Sequence, residues 1–396
     1  MVGLLPYILA ALGLASAFPL IPRQNNTGTE RKLLVSTNNL ILPFYFKDNT
    51  FIQSQANTTL PQVTPSWLAL KEPNLLYAVD ENTNATMLFN FDEVAHAVSK
   101  EPVASANGSV GTVSLAFNQD KTRLLGASYG GGAVDVWDIS SDHHLKLIKS
   151  VALEVPGSNA HQALLDPSGR FFVVNDLGGH KIYIIDSKDD KYEIISSYDT
   201  PDQTGPRHGA WIKSAGAGNS SSPSDLATHY AVVCEVGNRV LLYKVGSDNG
   251  IPVLTLVDNV STFGDAFPPT TPESAAAGEL VVASNQKDIY VSNRITGNET
   301  DSISHFALED YSLRFVDQVS SMGTKPRMMS LSADESILFS SNQNGTNGLV
   351  AYKRCQSSGS LDEEPLAVYD NSNFPLVDGQ VAGPMFVMEV PVLSKQ

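Results

Sequence analysis

Cysteine is nearly absent, with only Cys234 and Cys355 in 396 residues. At most one disulfide can form, so a chain of this length has to draw its stability from a hydrophobic core. Cys234 lies in an apolar run, where it is either a buried free thiol or the partner of Cys355. No group of Cys and His has the spacing of a zinc site, and we expect neither a metal nor an organic cofactor.

Basic residues are also scarce, because 26 Lys and Arg stand against 42 Asp and Glu and leave a formal net charge of −16. Nucleic acid is therefore not an expected partner, since phosphate binding requires a basic face. A small anionic substrate would have to meet a local cluster of arginines. The composition does not indicate an oligomeric state.

Long apolar stretches are limited to the N-terminus, where residues 1–17 (MVGLLPYILAALGLASA) end in a small-residue cleavage pattern. This pattern predicts a secretory signal peptide, followed by a flexible leader over residues 18–30. A membrane anchor is the alternative, but the run is short for a span. We therefore expect a protein without a membrane span, secreted or retained in a cell wall.

Glycosylation sequons accompany the predicted signal peptide. Eight Asn-x-Ser/Thr sequences occur, at Asn25, Asn57, Asn84, Asn107, Asn219, Asn259, Asn298 and Asn344. A single sequon is weak evidence, but eight in a chain with a signal peptide predict a secreted glycoprotein.

A pattern of short strands recurs along the chain. Residues 161–186 show it well, since HQALLD, FFVVND and KIYIID are separated by turns that contain Pro or Gly. The residues that end the first strand of each copy are Leu70, Phe117, Leu165, Ile212, Val282 and Leu331. Their spacings of 47, 48, 47, 70 and 49 residues indicate a β-propeller. Insertion loops over 214–229 and 261–274 account for the long interval.

The two ends of the chain supply the remaining strands, 31–46 and 383–391. Each segment is too short for a blade, so we predict that they pair in a seventh blade and close the ring, which removes exposed sheet edges. The predicted fold is all-β, with one domain, residues 31–396, folded as a seven-bladed β-propeller.

Equivalent positions of the blades surround the channel of a propeller, so functional residues should share a column when the copies are overlaid. The column at the start of the first strand holds Ser66, Val113, His161, His208, Gly278 and Arg327, with Arg207 beside His208. The column after the second strand holds Asp80, Ser128, Asp176, Glu235, Asn293 and Asn342, and the next position holds Arg294. For Ser128, Asp176 and Asn342 we expect hydrogen bonds that cap turns.

Four members of these columns are poor turn formers or carry charge that a turn does not need. His161, Arg207, Glu235 and Arg294 predict a polar site for a small anion, because arginine binds carboxylates with paired N–H groups and histidine transfers protons near neutral pH.

Six stretches carry a resemblance to a known family. They are YGGGAVDVWDI (129–139), HQALLDPSGRFFVVNDLGG (161–179), GPRHGAW (205–211), YAVVCEVGNRVLLY (230–243), IYVSNR (289–294) and KPRMMSL (325–331). The chain resembles the seven-bladed lactonase propellers, which include bacterial 6-phosphogluconolactonase and fungal carboxy-cis,cis-muconate cyclase. The family's His-x-His motif falls on residues 159–161, where only the second histidine is kept.

The resemblance implies that His161 is a general acid/base, that Glu235 assists it, and that Arg207 and Arg294 clamp substrate carboxylates. His208 and Arg327 join them as expected substrate-binding residues. The implied reaction opens or forms a small carboxylated lactone without a metal, as a lactonase or a muconate cycloisomerase does.

Two alternatives stay open at this point. The missing first histidine and the export signal are also consistent with a secreted binding propeller that lacks catalytic activity. A calcium-dependent lactonase would require a carboxylate cluster, which Asp80, Asp176 and Glu235 could supply.

Overall fold

The computed structural model describes residues 30–201, 204–213, 227–264, 268–377 and 379–391. The predicted signal peptide, nearly all of the predicted leader, and the sequons at Asn25 and Asn219 lie outside these ranges. Within them, no helix is long and apolar enough to cross a membrane.

The described strands form seven antiparallel blades and one small hairpin. The chain begins in blade 7 with β1 (Arg31–Thr37), β2 (Leu40–Lys47), β3 (Thr50–Gln53) and β4 (Thr58–Thr59). Blade 1 contains β5 (Leu68–Lys71), β6 (Leu75–Val79), β7 (Ala85–Asp92), β8 (Ala97–Val98) and β9 (Ala104–Asn107). Blade 2 contains β10 (Thr112–Phe117), β11 (Arg123–Ser128), β12 (Ala133–Asp138) and β13 (Lys146–Ala152). Blade 3 contains β14 (Ala160–Leu165), β15 (Phe171–Asp176), β16 (Lys181–Asp186) and β17 (Glu193–Asp199).

The second half of the ring repeats this arrangement. Blade 4 contains β18 (Pro206–Lys213), β19 (Ala227–Cys234), β20 (Arg239–Asp248) and β21 (Ile251–Ser261). Blade 5 contains β22 (Ala276–Val282), β23 (Asp288–Arg294), β24 (Ser302–Glu309) and β25 (Ser312–Ser320). Blade 6 contains β26 (Thr324–Leu331), β27 (Ile337–Asn344), β28 (Asn347–Lys353) and β29 (Ala367–Asp370). A hairpin of β30 (Leu376–Val377) and β31 (Gln380–Val381) precedes β32 (Phe386–Glu389), and short 3₁₀ turns cover Lys188–Asp190 and Asn371–Asn373.

Each blade buries both of its faces, one against each neighbouring blade. Alternate side chains of a strand point to opposite faces, so Phe172 and Val174 pack in the cluster between blades 2 and 3. Phe171 and Val173 pack in the cluster between blades 3 and 4. Apolar clusters of this kind occupy all seven seams between adjacent blades. The continuous apolar runs in the sequence follow from this two-sided burial.

The predicted closure of the ring is confirmed. Strand β1 pairs with β2 and also with β32, which places Val35 opposite Val387 in the same sheet. The two ends of the chain thus share blade 7, and the fold is the predicted seven-bladed β-propeller.

The predicted insertion loop over 214–229 is wrong at its C-terminal end. Strand β19 already begins at Ala227, because His229 pairs with Ile212 on one side and with Lys244 on the other. The open question of the cysteines is also answered, since both are free and Cys234 is buried in β19.

The turn-capping prediction is confirmed. The Oγ of Ser128 receives a hydrogen bond from the Gly131 N–H. The Asp176 carboxylate accepts from the backbone of Asn159 and of Gly179 at 2.7 and 2.9 Å. The Asn342 amide donates to the carbonyls of Ser321, which follows β25, and of Asn347, the first residue of β28. These side chains secure the connections at one end of the strands.

Candidate active site

Four of the predicted site residues lie at one edge of their blades because of strand direction. In an antiparallel pair, the start of the first strand is opposite the end of the second, as Pro206 is opposite Cys234 in blade 4. His161 and Arg207 lie at the starts of β14 and β18, whereas Glu235 follows β19 and Arg294 ends β23. We call this face of the propeller the site face.

A bulge at the start of the first strand turns certain side chains toward the channel. The register between the first and second strands shifts at this point in blades 2, 3, 4 and 6. The extra residues are Val113, His161, Arg207 and Arg327. Bulges commonly redirect a side chain beside an active site. The register therefore makes Arg207 the structural equivalent of His161. The column that the sequence predicts has His208 at this position and is wrong by one residue.

Glu235 joins the two arginines. Its Oε2 accepts a hydrogen bond from Arg207 Nε at 2.8 Å and lies 2.7 Å from Arg294 Nη2. Burial would raise the pKa of Glu235, but Arg294 and Arg207 outweigh it and hold the pKa below its usual value. Burial lowers the pKa of Arg207 to about 10, so this guanidinium is still charged at neutral pH. Each arginine also donates to a backbone carbonyl of blade 5.

His161 is a neutral imidazole surrounded by cations. It is 5% exposed. Burial, followed by the charges of the Arg207, Arg327 and Arg294 guanidiniums, places its pKa well below the usual value for histidine. A neutral ring of this kind is able to accept a proton at neutral pH.

His208 and Glu279 form a buried pair beside His161. Nδ1 of His208 lies 2.7 Å from Glu279 Oε2, and the rings of His208 and His161 are 4.8 Å apart. Burial lowers the pKa of His208 although Glu279 opposes the shift. His208 is therefore neutral, and the Glu279 carboxylate fixes its proton on Nδ1.

Sequence reasoning missed Glu279 as a site residue. The bulge of blade 5 contains two residues, Gly278 and Glu279, so the overlay of equal lengths assigned Gly278 to the column. Glu81 and Tyr129 occupy the same position of their blades as Arg294, one residue after the column that follows the second strand, and the sequence did not single them out. Arg327 binds Glu81 at 2.5 Å and is thus paired, not free.

Tyr129 is the most accessible aromatic residue of this group, with 40% of its surface exposed. Its ring lies 6.0 Å from the His161 ring. Burial and the charge of Glu235 raise the pKa of Tyr129, so the phenol keeps its proton and remains a hydrogen-bond donor at the site.

Below this group the channel is nearly filled by side chains. A cavity of about 10 Å³ remains, which is space for roughly one water molecule. Its lining includes Ser66, Trp67, Val113, His161, Arg207, His208, Glu279 and Arg327. A substrate must therefore bind from the site face, where part of Glu235 and Tyr129 is exposed.

The three carboxylates that a calcium site would require each bind different groups of the protein. Asp80 accepts from Thr64 and Thr83, Asp176 caps its own turn, and Glu235 binds two arginines. In the described part of the chain, no group of three or more His, Cys, Asp or Glu is arranged to hold a metal ion.

Comparisons with known proteins agree with the fold. Residues 30–371 match the lactonase, 7-bladed beta-propeller family. A probable 6-phosphogluconolactonase of Arthroderma benhamiae is 26% identical over 264 residues, which cover 64% of this chain and 62% of that protein. The 6-phosphogluconolactonase of Bacillus subtilis is 28% identical over 255 residues, which cover 62% of this chain and 66% of that protein. The chain thus matches slightly less than two thirds of the length of these relatives.

Solved structures show the same architecture at lower identity. The periplasmic gluconolactonase of Pseudomonas aeruginosa superposes with a TM-score of 0.75 at 18% identity, over 92% of this chain and 100% of that one. A putative 6-phosphogluconolactonase from Bacteroides fragilis gives a TM-score of 0.70 at 18% identity, over 93% of this chain and 100% of that one. The family match extends over six blades and most of the seventh, and the chain belongs to the lactonase family of seven-bladed β-propellers.

Proposed function

We propose that this protein is an enzyme that opens, or reversibly forms, a small lactone with an anionic substituent at the site face. The proposal rests on one arrangement, in which Arg207 and Arg294 converge on Glu235 next to the neutral His161. The membership of the chain in the lactonase family and its relatives named 6-phosphogluconolactonase support this reaction class.

The arginines supply the affinity for an anion. A guanidinium has five N–H donors. Glu235 binds Nε of Arg207 and Nη2 of Arg294, and the carbonyls of blade 5 accept from Nη1 of Arg207 and Nη2 of Arg294. The remaining donors can bind a substrate carboxylate or phosphate, a geometry that suits arginine better than lysine. The Tyr129 phenol supplies a further donor at the exposed side of the site.

In the hydrolytic direction, water adds to the lactone carbonyl carbon while His161 accepts the proton that the water loses. The guanidiniums stabilise the negative charge that develops on the carbonyl oxygen. Protonated His161 then returns the proton to the ring oxygen as the C–O bond breaks. The products are one hydroxyl group and one carboxylic acid, which releases its proton to solvent as a carboxylate at neutral pH.

In the cyclising direction, the oxygen of a substrate carboxylate adds to a carbon–carbon double bond. A proton is then delivered to the adjacent carbon, and His161 can deliver it only after its neutral ring has taken up a proton from solvent. Sugar lactones suit the first direction and carboxylated muconates suit the second, so both classes are candidate substrates.

Secretion and glycosylation are part of the proposal. The N-terminal pattern of residues 1–17 supports export. Six sequon asparagines lie in the described ranges, and all six are exposed or partly exposed: Asn57, Asn84, Asn107, Asn259, Asn298 and Asn344. Such positions are accessible to a glycosyltransferase.

The test is an assay of the purified protein on glucono-δ-lactone, 6-phosphoglucono-δ-lactone and 3-carboxymuconate. We expect turnover of at least one substrate, and a loss of about 10²–10⁴-fold in kcat for His161→Ala. His143→Ala, at an exposed histidine in blade 2, is the matched control and should keep full activity. Absence of turnover on all three substrates would contradict the proposal, and binding without turnover would favour a non-catalytic propeller.

A further inference from the structure

A second cleft opens on the face opposite the site face, at blades 3, 4 and 5. Its volume is about 740 Å³, within the range of about 300–1,000 Å³ that is usual for small-molecule sites. The turns that connect the first strand of a blade to the second, and the third strand to the fourth, line this cleft. Strand β19 runs from this cleft to the site face, and at roughly 3.3 Å per residue His229 is about 20 Å from Glu235.

The floor and walls of the cleft are mainly apolar and aromatic. Phe171 and Ile212 are buried beneath it. Trp211 and Tyr311 also line it, and Tyr311 is 54% exposed, which is unusual for a large aromatic side chain. An exposed aromatic ring beside apolar walls is a suitable surface for a planar apolar ligand.

Three lysines surround the apolar lining, namely Lys213, Lys244 and Lys287. Among the described residues, none of the three forms an ion pair, although acidic side chains outnumber basic ones in the chain as a whole. Nζ of Lys244 lies 5.2 Å from the centre of the Tyr311 ring. A cation so close to an aromatic wall can bind an anionic group while the wall contacts the rest of the ligand.

The two carboxylates in the described lining form no ion pair with these lysines. The Asp166 side chain accepts four hydrogen bonds within its own turn, from Ser168, Arg170 and Phe171. The other carboxylate, Asp310, lies in a tight turn with a φ of 54°. Among the described lining residues, three cations stand against two carboxylates, in a chain with a net charge of −16.

His229 adds a neutral ring to the lining. It lies with its ring 5.5 Å from the Tyr311 ring, and its Nδ1 is 3.1 Å from the Thr228 hydroxyl. Burial, and then the charge of Lys244, lower the pKa of His229. The positive charge at the cleft therefore comes from the lysines at neutral pH.

We propose that this cleft is a second binding site, for an aromatic carboxylate whose apolar body contacts Tyr311 and Trp211 and whose charge is met by Lys244 and its neighbours. The site does not depend on the lactonase proposal, because no group of the site face contributes to it. A neutral aromatic compound would lack the charge interaction, and an aliphatic carboxylate would lack the aromatic contact.

The test is calorimetric titration of the purified full chain with 2-naphthoate. We expect saturable binding of one equivalent, at least tenfold weaker binding for Lys244→Gln and for Tyr311→Ala, and weaker binding of neutral 2-naphthamide. Lys353→Gln is the matched control, since this exposed lysine lies on blade 6 and should leave the affinity unchanged.

Arg294→Gln distinguishes this site from the site face. If 2-naphthoate bound at the channel mouth, this variant would weaken binding and Lys244→Gln would not, which would overturn the proposal. Absence of saturable binding, or equal affinity of Lys244→Gln and Lys353→Gln, would also overturn it. None of these outcomes depends on lactone turnover, so either proposal can fail alone.

Discussion

The guanidiniums of Arg207 and Arg294, from two adjacent blades, contact the same oxygen of Glu235 at 2.8 and 2.7 Å. A single carboxylate thus neutralises part of two positive charges that burial would otherwise make costly. The arrangement holds the arginines in place and leaves part of their charge for the anionic substrate that we propose.

Replacing Glu235 with Gln should therefore strengthen the binding of an anion by the two arginines. We expect a loss of about 1–3 kcal/mol in the free energy of unfolding, less than for a fully buried pair because the Glu235 side chain is 28% exposed. Sulfate should raise the Tm of Glu235→Gln more than that of the wild type, since an anion that binds only the folded state stabilises it.

The measurement is thermal unfolding across a sulfate titration. Glu309→Gln, at the exposed pair with Arg314, is the control and should follow the wild type. Equal responses of Glu235→Gln and the wild type to sulfate would show that removing the Glu235 charge does not free the arginines for an anion.

The pH dependence of turnover should report the neutral state of His161. Its pKa lies well below 6.5, because burial and the surrounding cations disfavour its protonation. If His161 is the base, kcat/KM should stay constant from pH 7.5 to below 6.5 and fall only at lower pH, where the ring becomes protonated. Initial rates between pH 4.5 and 8 test this with a substrate that is stable over the range. An acid limb centred at or above 6.5 would contradict the assignment.

Much of the fold could be predicted from the sequence because the strands of every blade are buried in the same way. Strands that bury both faces are continuous apolar runs in the sequence, and Pro and Gly mark the turns between them. The spacing of these runs predicted the copies and the blade that closes the ring. The edge that carries His161 and Glu235 followed from strand direction. Residues 206–207 and 326–327 are both Pro-Arg. This shared pair was the sequence signal that Arg207 takes the same bulged position as Arg327.

The remaining features depend on geometry that residue types do not specify. The bulge of blade 5 contains two residues, so Glu279 was outside the column that equal spacing defines. The ion pair between Arg327 and Glu81 joins blades 6 and 1, and only the curvature of the ring brings these residues together. The second cleft is formed by turns of three blades, which no single stretch of sequence shows.

A buried ion pair at the seam of blades 5 and 6 should contribute strongly to stability. Arg354 Nη2 lies 2.5 Å from Asp288 Oδ2, with both side chains at least 92% buried. Burial alone would raise the pKa of Asp288, but bonds from His305, Asn285 and Arg354 bring it to about 2. Asp288→Asn keeps the shape and leaves the buried arginine with Glu335, 3.9 Å away, as its remaining ionic partner, so we expect a loss of about 3 kcal/mol.

Urea unfolding at pH 7 measures this loss. Arg314→Ala removes an exposed pair of the same blade whose side chains are 54% and 55% exposed, and should change stability by less than about 0.5 kcal/mol. If both variants lost the same amount, burial of the Asp288 pair would not be the cause.

His305 should make the stability of this seam depend on pH. Burial lowers its pKa, but Asp288 at 3.2 Å and Asp317 at 3.5 Å outweigh burial and raise the pKa above 6.5. Arg354 and Tyr290 are the other charged or titratable groups in contact with this cluster. A raised pKa in the folded state means that protonated His305 stabilises the fold fully below pH 6.5. This contribution disappears as the pH rises through the folded pKa.

Replacing His305 with Gln removes the titrating group, so the stability difference between wild type and variant should shrink as the pH rises above 6.5. Urea unfolding at intervals between pH 5.5 and 8.5 measures this difference, and Asp288, with its pKa of about 2, remains ionised throughout. His143→Gln is the control, because that ring is exposed and bonded only to Asn90 among the described residues. A constant difference over the whole range would mean that His305 has the same pKa in the folded and unfolded chains.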